Sequence, residues 1–347
     1  MGQVAAPRRV APIGSACLHT GVDLVAPGAD PLDVTRFDIE EAADRIRGRV
    51  RETPVLAAGP RAFGVDADHL TLKLELLQHT GSFKPRGAFN RMLTAEIDGS
   101  GVLAASGGNF GLAVAYAARE LGHRAEIFVP ETSPAVKIGR IRDYGAEVHV
   151  VPGYYTEAYA ACEERAFETG AAFMHPYDQP AVVAGQGTLG RELEEQAPQL
   201  DTVLVAVGGG GLIGGVAAWY ATDARVVGVE PERCPTLTTA LAAGEPVDVE
   251  VGGVAADALG AARAGLIGFQ IARAYVDRVV LVPDDAIEDA RRAMWDEMRL
   301  APEPGAAAPL AALRSRAYVA EPDEKVGVVV CGANADPSDL ATLAALG

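Results

Sequence analysis

Apolar residues along this chain fall into short runs, separated by stretches in which they recur with a helical period. Leu70, Leu72 and Leu74 alternate with polar neighbours and predict a strand with one buried face. Further strands are predicted at Val102 to Ala105, Ala125 to Val129, Glu147 to Val151, Thr202 to Val207, Val226 to Glu230, Arg278 to Val282 and Lys325 to Val330. Between them lie predicted helices. The first starts at Asp38, which with Glu41 reads as a capping box, and carries Ile39, Ala43, Ile46 and Val50 on one face. Others run from Leu112 to Leu121 before Gly122, from Pro134 to Tyr144 before Gly145, from about Thr156 to Thr169, and from Ile213 to Tyr220. Strands alternating with helices are the grammar of α/β folds with mostly parallel sheets, a rhythm that a barrel of βα units shares. Residues 1–37 show no sustained period, are rich in Pro, Ala and Gly, and predict a mobile N-terminal extension.

Composition narrows the class. A chain of 347 residues with 49% apolar content can bury a large core and predicts two lobes. With 47 acidic against 30 basic residues it lacks the basic surface that nucleic acid demands, so no DNA or RNA partner is expected. Arg8-Arg9 precedes only a short apolar stretch broken at Pro12, too little for a secretory signal, so a soluble cytoplasmic protein with no membrane partner is expected. Cys17, Cys162, Cys234 and Cys331 are widely separated and suggest neither a disulfide framework nor a zinc site. The histidines at 19, 69, 79, 123, 149 and 175 offer no paired spacing for a metal, and none is expected.

Candidate chemistry centres on Gln78-His79-Thr80-Gly81-Ser82-Phe83-Lys84-Pro85-Arg86-Gly87-Ala88-Phe89-Asn90, where Lys84 lies between a tight turn and a helix start. Pro85 suits the first helical position. Burial near a helix N-terminus disfavours an ammonium, which leaves a free amine able to attack an aldehyde. A snorkelling surface lysine could occupy the same place. Gly208-Gly209-Gly210-Gly211 joins a buried strand to a helix, so its backbone N–H groups can converge on a phosphate; a flexible hinge would look the same. Ser106-Gly107-Gly108-Asn109 stands at a similar junction and can capture a carboxylate, or form a plain turn capped by Ser106. Cys331 ends an apolar strand, where cysteines commonly pack inertly, and Glu303 precedes a Pro-Gly turn, where acids are commonly solvated.

Taken in order, these segments resemble the pyridoxal-phosphate (PLP) dependent threonine/serine dehydratase family of fold type II over about residues 45–340, with Gly185-Gln186-Gly187-Thr188, Gly228-Val229-Glu230-Pro231, Glu303-Pro304-Gly305-Ala306 and Cys331-Gly332-Ala333-Asn334 adding to the match. The resemblance implies an α/β fold of two lobes rather than a barrel, each lobe a mostly parallel twisted sheet covered by helices. A large PLP-binding domain would span 38–103 and 184–347, and a small substrate-side domain 104–183. The implied activity is α,β-elimination of a β-hydroxy amino acid such as L-threonine or L-serine to a 2-oxo acid and ammonia, in a homodimer. Lys84 would be catalytic and carry PLP as a Schiff base, with Phe83, Asn109, Gly208, Gly209, Gly210, Gly211, Leu212, Glu303 and Cys331 around the cofactor. Ser106, Gly107, Gly108, Asn109 and Phe110 would face the substrate. The resemblance also sets Cys331 against the ring nitrogen, where a neutral partner leaves a weaker electron sink and favours prompt loss of a β-substituent.

Some positions depart from the family pattern. Phe110 replaces the His of many relatives, making the substrate side more apolar. Gly107 replaces the second-face serine of racemases of this fold, which argues against racemisation as the main activity. Glu230 matches a cation ligand of some members, but the segment Pro231 to Thr236 lacks their downstream aspartate. Few residues follow Cys331, so a C-terminal regulatory domain responding to isoleucine is not expected. The alternatives are a β-replacement enzyme of the cysteine-synthase kind, whose usual substrate loop differs from Ser106–Asn109, an amino-acid racemase, or a PLP-binding protein without turnover.

Overall fold

Two parallel-rich sheets carry the molecule, and the chain passes from the larger to the smaller and back. The computed structural model describes residues 34–133, 135–338 and 340, so the extension expected over 1–37 lies outside the described residues as far as 33. Numbered along the chain, the strands are β1 (Val55–Ala57), β2 (His69–Lys73), β3 (Val102–Ala105), β4 (Ala125–Pro130), β5 (Glu147–Val151), β6 (Ala172–Phe173), β7 (Thr202–Ala206), β8 (Arg225–Pro231), β9 (Val276–Val282) and β10 (Lys325–Val329). The large sheet has the order β1-β2-β10-β7-β8-β9 and the small sheet β5-β4-β3-β6. All pairings are parallel except that of β1 with β2. Strands such as β3 and β7 are buried along their whole length, which is why they read as unbroken apolar runs.

The helices are α1 (Arg36–Ile46), α2 (Lys84–Thr94), α3 (Asn109–Leu121), α4 (Ala135–Asp143), α5 (Tyr155–Thr169), α6 (Pro180–Gln196), α7 (Gly211–Tyr220), α8 (Thr236–Ala243), α9 (Ala256–Leu259), α10 (Leu266–Tyr275), α11 (Asp284–Met298) and α12 (Pro304–Arg314). The capping box of α1 is Thr35 with Asp38, not Asp38 with Glu41: the Thr35 N–H donates to Asp38 Oδ2 at 2.8 Å and the Asp38 N–H returns to Thr35 Oγ1. This earlier start turns Ile39, Ala42 and Ile46 inward, and Val50 falls beyond the helix end. At α2 the helix begins on Lys84 itself, so Pro85 is its second residue, still within the turn whose N–H groups need no helical partner. Strand β2 stops at Lys73, because the Leu74 N–H turns away to Pro54 O at 3.0 Å.

Gly185-Gln186-Gly187-Thr188 lies inside α6, wedged between α2 and α7. A Cβ on Gly185 would stand 2.6 Å from Arg86 O, and one on Gly187 2.8 Å from Gly215 O, so the helices meet backbone to backbone. Beside this contact sits a buried ionic cluster. Arg86 is held by both oxygens of Glu75, at 2.6 and 3.0 Å, and by Glu192 at 2.8 Å. Lys73 reaches the other oxygen of Glu192, and Thr53 Oγ1 donates to Glu75 at 2.6 Å. Burial opposes the charge on Arg86, but Glu75 and Glu192 outweigh it and hold its pKa above the usual value. The cluster ties β2, α2 and α6 together through Arg86, in the same first turn of α2 as Lys84.

Candidate active site

The turn before Lys84 is built by Thr80 (φ +60°) and Gly81 (φ +78°), and a Cβ on Gly81 would lie 2.9 Å from Asn334 Oδ1. Ser82 then pairs with Gly332 in an antiparallel bridge, and the Phe83 N–H donates to Cys331 O at 3.1 Å. The segment after β10 thus clamps the turn that presents the lysine. Lys84 Nζ donates to Pro176 O at 2.9 Å and lies 4.9 Å from the Phe83 ring centroid and 5.6 Å from that of Phe110. Among the described residues it has no ion-pair partner. Burial pushes its amine down to about 8, with Cys331 and Glu303 pulling the other way.

Ser106–Asn109 follows β3 and opens α3. Asn109 is held at both ends of its amide: Nδ2 donates to Glu303 Oε1 at 2.7 Å and Oδ1 accepts from Asn334 Nδ2 at 2.7 Å. Asn334 in turn donates to Thr80 O at 2.8 Å and accepts from Arg140 at 2.7 Å. Glu303 precedes α12, and its carboxylate lies against Gly332, where a Cβ would come within 2.2 Å of Oε1. Burial pushes the Glu303 carboxyl up to about 7, opposed by the Asn109 bond. The solvated turn that its sequence suggests is therefore not what the chain builds. Burial also pushes the Cys331 thiol up, and Glu303 adds to the effect, so the thiol is neutral at pH 7. Phe110 packs in the core of the small sheet while its ring flanks the amine.

The glycine turn leads from β7 into α7, with Gly210 at φ +95°. Gly209 has no room for a side chain, since its Cβ would stand 2.4 Å from the Tyr177 ring, and Gly208 is bounded by Leu259 Cα at 3.1 Å. Leu212 is buried in the first turn of α7, whose leading N–H groups have no helical acceptor and can bind an anion. Sequence reasoning missed the wall opposite. His175, Pro176 and Tyr177 join β6 to α6 without any period to mark them. His175 is kept neutral, pushed down to about 4 by burial, with Asp178 opposing and Lys84 adding to the shift. Its Nδ1 accepts from the Asp178 N–H at 2.9 Å. Arg140 and Asn334 carry no signal of their own in the sequence either, although Asn334 closes the segment Cys331-Gly332-Ala333-Asn334.

Glu230 is spent on structure. Its carboxylate accepts the N–H groups of Leu237 and Thr238 at 2.6 and 2.9 Å and so caps α8. Elsewhere Glu126, Glu147 and His149 bring ligand atoms within 4.8 Å of one another. Arg124 and Arg165 already pair with Glu126 there.

The sequence profile of the family described as pyridoxal-phosphate dependent enzyme matches residues 46–332. The chain belongs to this family. Among members of the PLP family, the L-threonine ammonia-lyase of Geobacter sulfurreducens is 39% identical over 305 residues, spanning 86% of this chain and 75% of the relative. The phenylserine dehydratase of Ralstonia pickettii is 36% identical over 325 residues, spanning 91% of this chain and 99% of the relative. The solved maize serine racemase superposes with a TM-score of 0.83 at 32% identity, over 90% of this chain and 97% of that one. The two-sheet architecture is that of PLP fold type II. The residues present fit the cofactor of the family: a half-buried amine without a carboxylate partner among the described residues, a side-chain-free turn at a helix N-terminus, and a neutral thiol beside them. Among the described residues no helix is long and apolar enough to cross a membrane.

Proposed function

We propose that this PLP enzyme is an ammonia-lyase that eliminates the β-hydroxyl of an amino acid and releases a 2-oxo acid and ammonia. The observation that carries the reading is the half-buried Lys84 amine, pushed down to about 8 and flanked by the Asn109 loop and Cys331. Lys84 would hold PLP through its aldehyde, the N–H groups of Gly208–Leu212 its phosphate, Asn109 its ring oxygen and Cys331 its ring nitrogen, with Phe83 and Glu303 beside the ring. When bound, PLP supplies an electron sink for the charge left at Cα after deprotonation. Ser106 would bind the substrate carboxylate through its hydroxyl and Gly107 and Gly108 through their backbone N–H groups, since the Ser106 N–H is held by Phe128 O, and Phe110 walls the substrate side. The free Lys84 amine would take the Cα proton, and the β-hydroxyl would leave as water with the proton handed on by the ammonium so formed. The division into a PLP-binding domain of 38–103 with 184–347 and a substrate-side domain of 104–183 belongs to the same reading. So do a homodimer, which light scattering on the eluted protein checks, and a cytoplasmic setting that suits the buried free thiols of Cys162, Cys234 and Cys331.

A panel of L-serine, L-threonine and phenylserine, followed for 2-oxo acid and ammonia in equal amounts, tests the activity. A PLP-loaded protein that releases neither from any of them overturns it. The similarity to a phenylserine dehydratase and the Phe110 ring both support substrates with a larger β-substituent. An apolar wall gains about 0.8 kcal/mol per buried methylene, about fourfold in kcat/KM. Threonine should therefore exceed serine by about that factor, and Phe110→His should narrow the ratio; an unchanged ratio removes Phe110 from specificity.

The shifted amine has a consequence for loading. A free-amine fraction set by a pKa of about 8 rises about tenfold between pH 7 and pH 9. Capture of PLP by the apo-protein should accelerate accordingly and level off above pH 9. A rate still climbing steeply beyond pH 10 would mean an unshifted lysine.

A further inference from the structure

Gly107 has a peculiarity that its neighbour lacks. A Cβ built on Gly107 would fall 2.0 Å from Ser133 Oγ and 2.9 Å from Ser133 Cβ, whereas one on Gly108 meets nothing nearer than Asp257 O at 3.8 Å. The Ser133 hydroxyl therefore fills the volume that a side chain at 107 would take. The placement follows from the sheet. β3 and β4 run parallel, with Ala105 beside Phe128, and the Ser106 N–H donates to Phe128 O at 3.0 Å, so the ends of both strands face the same cleft. Ser133 sits in the turn after β4, its N–H bonded to Pro130 O at 3.0 Å. That turn is anchored over the site by α4, where Lys137 pairs with Asp257 and Arg140 donates to Asn334. Ser133 is half-buried, and among the described residues its Oγ has no hydrogen-bond partner.

We propose that Ser133 is a substrate-facing residue, supplying from the adjacent strand the hydroxyl that Gly107 lacks and serving as proton carrier at Cα on the face away from Lys84. The proposal rests on the reading that the substrate carboxylate lies on Ser106–Asn109. Lys84 enters from the turn clamped to β10 of the large sheet, and Ser133 from the turn after β4 of the small sheet, so the two groups come to the site from different sheets. The step balances simply. After Lys84 has taken the first proton, the electron pair left at Cα accepts the hydroxyl proton of Ser133, which regains one from solvent in the cleft.

Glycine tests this, because its two Cα hydrogens lie on opposite faces. With the holoenzyme in D2O, both should exchange, and Ser133→Ala should lower the ratio of second to first exchange by about 100-fold, the scale of a positioned proton carrier. Exchange of one hydrogen only in the unmodified enzyme overturns the proposal and leaves the Lys84 reading standing; exchange of neither overturns both. A ratio unmoved by Ser133→Ala also overturns it. A second measurement needs no chemistry. Gly107→Ser should lower Tm by several degrees in the Ser133 background and by less than half as much on Ser133→Gly. Equal losses in the two backgrounds would show that the side chains do not share one volume, and the proposal would fall.

Discussion

Replacing Lys84 with Ala should leave a folded, colourless protein with turnover reduced by at least about 1,000-fold, within the range that loss of a positioned acid–base group produces. The loss is expected to be larger than from any other single change at the site, because one amine both would hold the cofactor and would move the Cα proton. Folding should survive, since Nζ has a single backbone carbonyl as partner and no buried carboxylate is stranded by its removal. The unmodified protein should be yellow. Borohydride should abolish the visible band and fix the cofactor on the peptide that contains Lys84. Label on any other lysine would refute the assignment.

Arg86→Met should be the most damaging substitution for stability. It removes the cation shared by Glu75 and Glu192 and strands the fully buried Glu75, while Glu192 keeps only Lys73 as an ion-pair partner. Breaking a buried pair from one side costs about 3–5 kcal/mol, against less than about 1 kcal/mol for an exposed pair such as Arg36 with Asp223. Burial opposes the charge on Glu192, but Arg86 and Lys73 hold its carboxyl below the usual range, so the stabilisation lost with Arg86 is greatest above the unfolded carboxylate range and the deficit shrinks as pH falls through it. Urea unfolding at pH 5 and pH 8 measures both effects. A deficit under about 1 kcal/mol at pH 8 would mean that the cluster relaxes into water rather than holding β2, α2 and α6 together.

Most strands could be read because parallel strands covered on both faces keep an apolar code with little noise, as in Val102–Ala105 and Thr202–Ala206. The lysine motif was legible for a different reason: turn, amine and helix start are contiguous, so the local sequence contains the whole device. Where the partner is distant, the signal vanishes. The alternation of Leu70 and Leu72 predicts one solvated face for β2, yet Lys73 on that face is fully buried against Glu192, 119 positions away. Asn334 and Asn109 meet across 225 positions, and no period marks either. Gly107 taken by itself points away from a second-face group. Only the register of β4 beside β3 brings Ser133 to that place.

The amide of Asn109 belongs to the helix that follows β3 of the small sheet, whereas Glu303 and Asn334 come from segments of the large one. Arg140 and Lys137 cross the same divide to Asn334 and Asp257. Spreading the lobes would have to break these bonds together, because each holds a partner of another in place or lies beside it on the same helix. Opening of the cleft is therefore latched. The enzyme is expected to visit a shut and an open form with little time between them, and the rate of unlatching sets an upper bound on how fast product can escape.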